Sequence, residues 1–548
     1  MDAVKVIEPR VNVKHDLEKN HVVLYGGLRV QEQVNTADSW GTPSTQPIQA
    51  TWNIFPPSTN TIVDRFMKIR CYLEVETDAD LQLGTNDALR QLPIHSIADV
   101  VTVQINGETV SDNVADKLHA MLTYGSRDDW NKSTSLAPCS PDNYQEYADW
   151  AIYGSAKNPL ANYGEASAYD PRGGFPVEFL APNKFRAVVT EPIMLSPFFN
   201  GMGHQEEGMV NVQQFNISYR WKTDLSKVLS HSALGNPITS VTVRFYQAPE
   251  ILTTFITPDL TMPLPELQIL PYHKPQEYIK AQTPSALPPG ASTTIVSDSI
   301  KLSQIPRKMY VFCRHERSSS DFNTADSYLA LERLDVLWNN QSGLFAQCGP
   351  QELYEISRRN GSNLSFPQHS FYRGSVFCAE FGKDIGLLDN EAPGTQGQYT
   401  IQVTATFENT STQPFTGDYY LVMLDEGTFS IAPNMARASL GNITPALVLQ
   451  AKESPELHHL DYEALQGGGF HSRLKNVIHK VATGVKKVAE SPATALVTQS
   501  VPGLQPVSAM LPNIARGASR VKMSTAGGRR TGGRLIGSEL SRRGRQRG

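Results

Sequence analysis

Two tandem all-β sandwiches of the jelly-roll type, followed by a basic tail, are what this 548-residue sequence predicts. Three observations carry that prediction. Apolar and polar residues alternate over strand-length runs, the same order of runs occurs twice, and helical periodicity stays confined to short segments until about residue 470. The expected layout is an N-terminal arm over 1–29, a first jelly roll over 30–262 with an insertion at about 123–211, and a second jelly roll over 263–445. A linker over 446–468 and a basic tail over 469–548 complete it.

The clearest strand is YTIQVTATFE, in which Tyr399, Ile401, Val403, Ala405 and Phe407 alternate with Thr400, Gln402, Thr404, Thr406 and Glu408. A period of two puts the apolar set on one buried face. Phe215, Ile217, Tyr219 and Trp221 alternate in the same way with Asn216, Ser218 and Arg220. Other runs match in order between the halves. VDRFMKIRCYLEVE (63–76) corresponds to IPRKMYVFCRHE (305–316), and ADVVTVQING (98–107) to ERLDVLWNNQ (332–341), each ending at an Asn-Gly or Asn-Asn turn suited to a hairpin. Short helical patterns follow at 113–122 and 350–359, then the strands at 215 and 399, then SVTVRFYQ (240–247) against DYYLVMLDEGTFSI (418–431). Two copies of many short strands favour sandwiches over a propeller or solenoid. The extra length of the first copy falls between 123 and 211, a stretch rich in Tyr, Trp, Pro, Gly and Asn, and a long excursion of that composition must pack on something.

Charge divides the chain. Residues 469–548 hold 15 Lys and Arg against 2 acids, net +13, whereas 1–468 hold 34 against 52, net −18. The tail has no aromatic after Phe470, and its end, RRTGGRLIGSELSRRGRQRG, is too poor in apolar residues to offset chain entropy, so disorder is expected there. A basic arm points to nucleic acid or an acidic surface as partner, or else to a solvated tail that only aids solubility. Over 470–490 the pattern is an amphipathic helix. Phe470, Leu474, Val477, Ile478, Val481, Val485 and Val488 share an apolar face, and Arg473, Lys475, Lys480, Lys486 and Lys487 lie opposite. Such a helix can lie on lipid, dock in a partner's groove, or cover an apolar patch on its own protein.

Reactive constellations are lacking. No HExxH, GxSxG, P-loop or GxGxxG occurs, and the five cysteines, Cys71, Cys139, Cys313, Cys348 and Cys378, form no CxxC or zinc spacing, so they read as reduced, mostly buried thiols. Cys71 and Cys313 fall in matching strands, which favours core packing. His458 and His459 near Asp461 point in different directions on any regular element, which disfavours a metal site. Lys383 and Asp384 read as a loop-fixing or inter-subunit pair. The N-terminus lacks the apolar run of a signal peptide, and no stretch has the length of a membrane span. No catalytic residue, cofactor or metal is expected.

The order SIKLSQIPRKMYVF, LDVLWNNQSGLF, LYEISRRNGSN, FGKDIGL and GQYTIQVTATFEN resembles the second half of the double jelly-roll major capsid proteins of Polinton-like viruses, virophages and adintoviruses. The match covers about 300–445, and PPSTNTIVDRFMKIR extends it loosely to the first half. The resemblance implies a non-enzymatic subunit of the virion, made in the host cell, whose homotrimers form pseudo-hexagonal capsomers of an icosahedral shell around double-stranded DNA. It also implies penton and minor capsid proteins as partners, and a viral adenovirus-type cysteine protease with sites resembling an apolar anchor, any residue, Gly-Gly and one more. Leu465, Gln466, Gly467, Gly468 and Gly469 fit that pattern, which implies cleavage after Gly468. The released tail would then resemble a membrane-lytic internal capsid peptide, with viral DNA or membrane as its partner. Two other readings fit the residues alone: a tandem jelly-roll carbohydrate-active enzyme, with aromatics of the 140–170 region stacking on sugar, and a nucleic-acid-binding structural protein driven by the tail.

Overall fold

The computed structural model describes residues 29–41, 49–81, 87–124, 177–198, 208–231, 237–258, 264–281, 286–316, 321–324, 327–411 and 414–452. The first half begins with β1 (Arg29–Thr36), β2 (Ser39–Trp40), β3 (Gln49–Ile54), β4 (Ile62–Val63), β5 (Lys68–Thr77) and β6 (Asp87–Leu89). Helix α1 (Pro93–Ser96), β7 (Ala98–Ile105), β8 (Glu108–Asp112) and α2 (Leu118–Leu122) follow. It closes with β9 (Val177–Ala181), β10 (Lys184–Pro192), β11 (Phe215–Trp221), β12 (Leu229–His231), β13 (Val241–Phe245) and β14 (Glu250–Thr257). The second half has β15 (Gln268–Ala281), β16 (Ser292–Val296), β17 (Ile300–Gln304), β18 (Lys308–His315), β19 (Ala330–Trp338) and β20 (Gln341–Leu344). Helix α3 (Pro350–Arg359), β21 (Val376–Glu380), β22 (Gln396–Glu408), β23 (Gly417–Ala432), β24 (Met435–Leu440) and α4 (Pro445–Lys452) complete it.

Each half is a two-sheet sandwich, and the central strands of the sheets follow the same order in both halves. The first half pairs β1-β14-β5-β10-β9 in one sheet and β2-β3-β11-β7-β8 in the other; the second pairs β15-β23-β18-β21 and β16-β22-β19-β20, with β17 also on β22. That is a double jelly roll. Asn106 and Gly107 both take positive φ (46° and 90°) in the two-residue turn between β7 and β8, the geometry for which Asn-Gly is suited.

Four expectations need correction. The span 123–211 is not one insertion, because β10 within it is a central strand paired to β5 from Lys184↔Glu76 to Pro192↔Lys68 and is the counterpart of β21. The run 240–247 is only part of the counterpart of 418–431. Strands β13 and β14 both lie antiparallel to β5, at Thr77–Leu73 and Arg70–Lys68, and together fill the place that β23 fills alone. The helix expected over 113–122 occupies only Leu118–Leu122. Residues 445–452, at the start of the expected linker, form α4.

The alternation in β22 is realised: Tyr399, Ile401, Val403, Ala405 and Phe407 are buried, their neighbours are not, and they join Trp338 and Tyr419 in the second core. In the first core Trp52, Phe215, Tyr219 and Trp221 do the same. The matching strands β5 and β18 differ, however. In β5, Ile69, Cys71, Leu73 and Val75 are buried while Arg70 and Tyr72 between them are half-buried, whereas every residue of β18 up to Arg314 is buried. One face of β5 is covered and both faces of β18 are. Truncating Phe407 to Ala should cost about 3–5 kcal/mol in urea unfolding monitored by tryptophan fluorescence, while Thr404→Ala, on the partly exposed face, should stay within about 0.5 kcal/mol.

Candidate functional site

The second face of β18 is covered by the first jelly roll. On the outer side of the second roll's sheet, Tyr310, Phe312, Val376, Cys378, Tyr420, Val422 and Leu424 form a buried layer with Ala120 of α2, and Met121 and Tyr124 pack against it. Phe312 stacks on Tyr420 with ring centroids 5.1 Å apart, and Tyr124 meets Tyr310 edge-on at 5.3 Å. Burial of each such side chain is worth roughly 1.5–3 kcal/mol.

Backbone acceptors fix the register of this seam. Arg314 donates to the carbonyls of Ala115 (3.1 Å) and Asp116 (2.6 Å), and Tyr124 Oη donates to that of Val376 (2.5 Å). In the opposite sense, buried Arg90 of the first roll donates to the carbonyls of Asp321 (2.8 Å) and Thr324 (2.6 Å). Lys117 sits between Asp112 (2.5 Å) of its own roll and Glu277 (3.8 Å) of the other. A cavity of about 70 Å³ remains at the seam, lined among others by Val110, Met194, Leu195, Ser196, Tyr272 and His273. His273 is buried there, its ring nitrogens make no hydrogen bond, and its nearest carboxylate is Glu426 at 3.8 Å. Burial holds its pKa down to about 4 against the upward pull of Glu426.

The outer face of the first roll's sheet carries charge instead. Glu74 accepts from Lys184 (3.0 Å), Arg186 (2.8 Å) and Arg244 (2.7 Å), and Arg186 stands over the Tyr246 ring at 4.5 Å. Burial alone would raise the Glu74 carboxyl, but these three cations bring it down to about 2. Tyr72 Oη donates to Glu250 at 2.8 Å, beside Arg70.

Two family models match this chain: the major capsid protein V20 C-terminal domain over residues 276–427, and the Sputnik virophage major capsid protein first domain over 2–184. The putative capsid protein V20 of Sputnik virophage is 29% identical, over 98% of this chain and 96% of that protein. The capsid chain in the cryo-EM structure of Sputnik virophage superposes with a TM-score of 0.71 at 28% identity, covering 87% of this chain and 98% of its own. This chain belongs to the double jelly-roll major capsid proteins of the virophage lineage. The crystal structure of the mavirus major capsid protein, 16% identical with a TM-score of 0.60 over 77% of this chain and 92% of that one, shares the fold.

A virophage major capsid protein is a structural subunit of the virion shell, not an enzyme, and its polar clusters are read accordingly. Cys71 and Cys313 are fully buried in matching core strands, and burial pushes both thiols well up. Asp384 accepts from Arg359 (2.7 Å), Asn360 (2.5 Å) and the Glu380 amide (2.9 Å), while Lys383 donates to Asn360 Oδ1 (2.8 Å), so this pair fixes a loop. Sequence reasoning missed His95, whose Nδ1 lies 2.6 Å from Glu191 and whose Nε2 lies 3.2 Å from Tyr219 Oη. His95 and Glu191 are 0% exposed, which closes them to any substrate. The partners lie too far apart in sequence to signal each other. Among the described residues no group of three or more His, Cys, Asp or Glu could hold a metal. Leu465–Gly469, the 470–488 helix faces, His458, His459 and Cys139 lie outside the described residues.

A folded-state pKa below the ordinary histidine value means that the unfolded chain binds the proton first, so His273 costs stability as pH falls from about 6.5 towards 4 and costs none above that window. The seam of this capsid protein should therefore open more readily to urea at pH 5 than at pH 7. His273→Leu should flatten that dependence, as read by Tyr and Trp near-UV circular dichroism.

Proposed function

We propose that three copies of this chain form a pseudo-hexagonal capsomer of an icosahedral virophage shell, and that a viral adenovirus-type cysteine protease then cuts after Gly468. In this reading, 30–262 and 263–445 are the two jelly rolls, placed upright side by side, so that three chains present six similar sandwiches to a hexagonal lattice. The observation that carries it is the shared order of the central strands in the two halves, locked by an apolar seam inside one chain. Two equivalent sandwiches per chain convert threefold symmetry into near-sixfold tiling. Penton and minor capsid proteins fill the remaining positions of the shell.

The tail acts in two stages. Before cleavage its net +13 charge faces the shell interior and attracts DNA by phosphate neutralisation, which suits a body of net −18. After cleavage the 470–490 helix binds membrane through Phe470 and its valines, with Lys and Arg on anionic headgroups. The match of Leu465–Gly469 to the protease pattern, placed at the charge boundary, supports this order.

Native mass spectrometry should give three times the 60.5 kDa chain mass, and a folded chain that remains a monomer would refute the capsomer. Incubation with the viral protease should remove residues 469–548, and Gly468→Val should block it. An intact chain after exposure to active protease would refute the cleavage. A 469–490 peptide should become helical on anionic vesicles and release dye.

A further inference from the structure

We infer that the cavity at the seam between the two jelly rolls binds a small neutral amphiphile, an alcohol of about four or five carbons, whose hydroxyl pairs with the His273 ring while its chain lies against apolar walls. This goes beyond the shell reading above and concerns the single chain, whatever its oligomeric state. Both rolls build the site. Strand β8 and α2 supply Val110, Leu118 and Leu122, the loop after β10 supplies Met194 and Leu195, and β23 supplies Leu424. All of these side chains are buried.

Within these walls one polar side chain has no protein partner. His273 is buried, and neither of its ring nitrogens is hydrogen-bonded by another residue. The nearest carboxylate, Glu426, lies 3.8 Å away and is engaged by Arg307, so it does not close that bond. The strand at His273 is held in place, because its backbone amide donates to Ser196 Oγ at 3.1 Å. Buried polar atoms in native folds are satisfied by protein, by water or by a ligand. Burial keeps this imidazole neutral at pH 7, so one ring nitrogen donates and the other accepts, and a hydroxyl can answer either.

Size and charge define the ligand. One water needs about 10–15 Å³ of such space, so about 70 Å³ takes roughly five non-hydrogen atoms, the size of butan-1-ol. Lys117, the buried cation of the lining, is already held by Asp112 at 2.5 Å and by Glu277 at 3.8 Å. An ion would therefore give up its hydration without meeting an unpaired counter-charge, which favours a neutral molecule. Among the lining residues only Ser111 of β8 and Lys274 of β15 are exposed, and they mark the mouth. A molecule in this site touches α2 and the second roll at once, so its binding adds to the hold of the seam.

The test is hydrogen-exchange mass spectrometry on the full-length chain at pH 7 with butan-1-ol at about 10 mM, roughly ten times the Kd of about 1 mM expected for so small a ligand. Exchange in peptides covering 110–122 and 268–276 should slow about tenfold, whereas a peptide of the second core such as 399–407 should not change. Three variants, each checked for folding by near-UV circular dichroism, locate the ligand. His273→Leu removes the ring nitrogens and should cut the slowing to about twofold, the effect of one lost hydrogen bond. His273→Gln, which restores a hydrogen-bonding group, should keep most of it, and Val110→Phe, which fills the cavity, should abolish it. No slowing in the wild-type chain would overturn the site and leave the cavity to water. Slowing in His273→Leu as large as in the wild type would overturn the pairing with His273, a result that stands even if Val110→Phe does not fold. Equal slowing in a folded Val110→Phe chain would place the alcohol elsewhere and overturn the site as well.

Discussion

The structure depends on covering the outer face of the second jelly roll. Strands β18, β21 and β23 are apolar on both sides, so the sandwich core satisfies only half of them. Left alone, this sheet would present Tyr310, Phe312, Tyr420, Val422 and Leu424 to water, a contiguous apolar patch that soluble monomers do not carry. Helix α2 removes it. The five residues of α2 would be too short to persist as a helix in isolation, and they hold because Ala120 and its neighbours are buried between two sandwiches. The two rolls are therefore one cooperative body, and Arg314 and Arg90, each reaching carbonyls of the other roll, set its register.

That body suits a shell subunit. Its ionisable groups are spent on internal fixation: Glu191 on the α1 amides and His95, Asp384 on the loop after β21, Glu74 on three cations. Such networks satisfy buried polar atoms and rigidify the fold, and they leave no reactive group at a cleft among the described residues. A capsid lattice needs that rigidity, because small errors in the angle between sandwiches accumulate over many copies.

Much of this was legible in the sequence. Alternation in β22 and β11 decides which residues enter each core, and the repeated order of runs points to the double jelly roll. The difference between the repeats is written there too. KIRCYLEVE alternates, whereas KMYVFCR does not, and a continuous apolar run marks a strand buried on both faces. Other features left no local signal. The unrelated residues before it hide β10 inside an apparent insertion, and a two-segment strand such as β13 and β14 shares no unbroken apolar run with β23. The His95–Glu191–Tyr219 cluster joins strands and a helix whose proximity only the fold creates.

A cryo-EM reconstruction of the purified assembly at a resolution that separates sandwiches addresses the central claim most directly. The account predicts six upright sandwiches around one threefold axis, with α2 seated on the β18 sheet of its own chain at three of the junctions. Twofold pairing of identical faces, or an assembly in which the β18 sheet is covered by anything other than the α2 of its own chain, would contradict it.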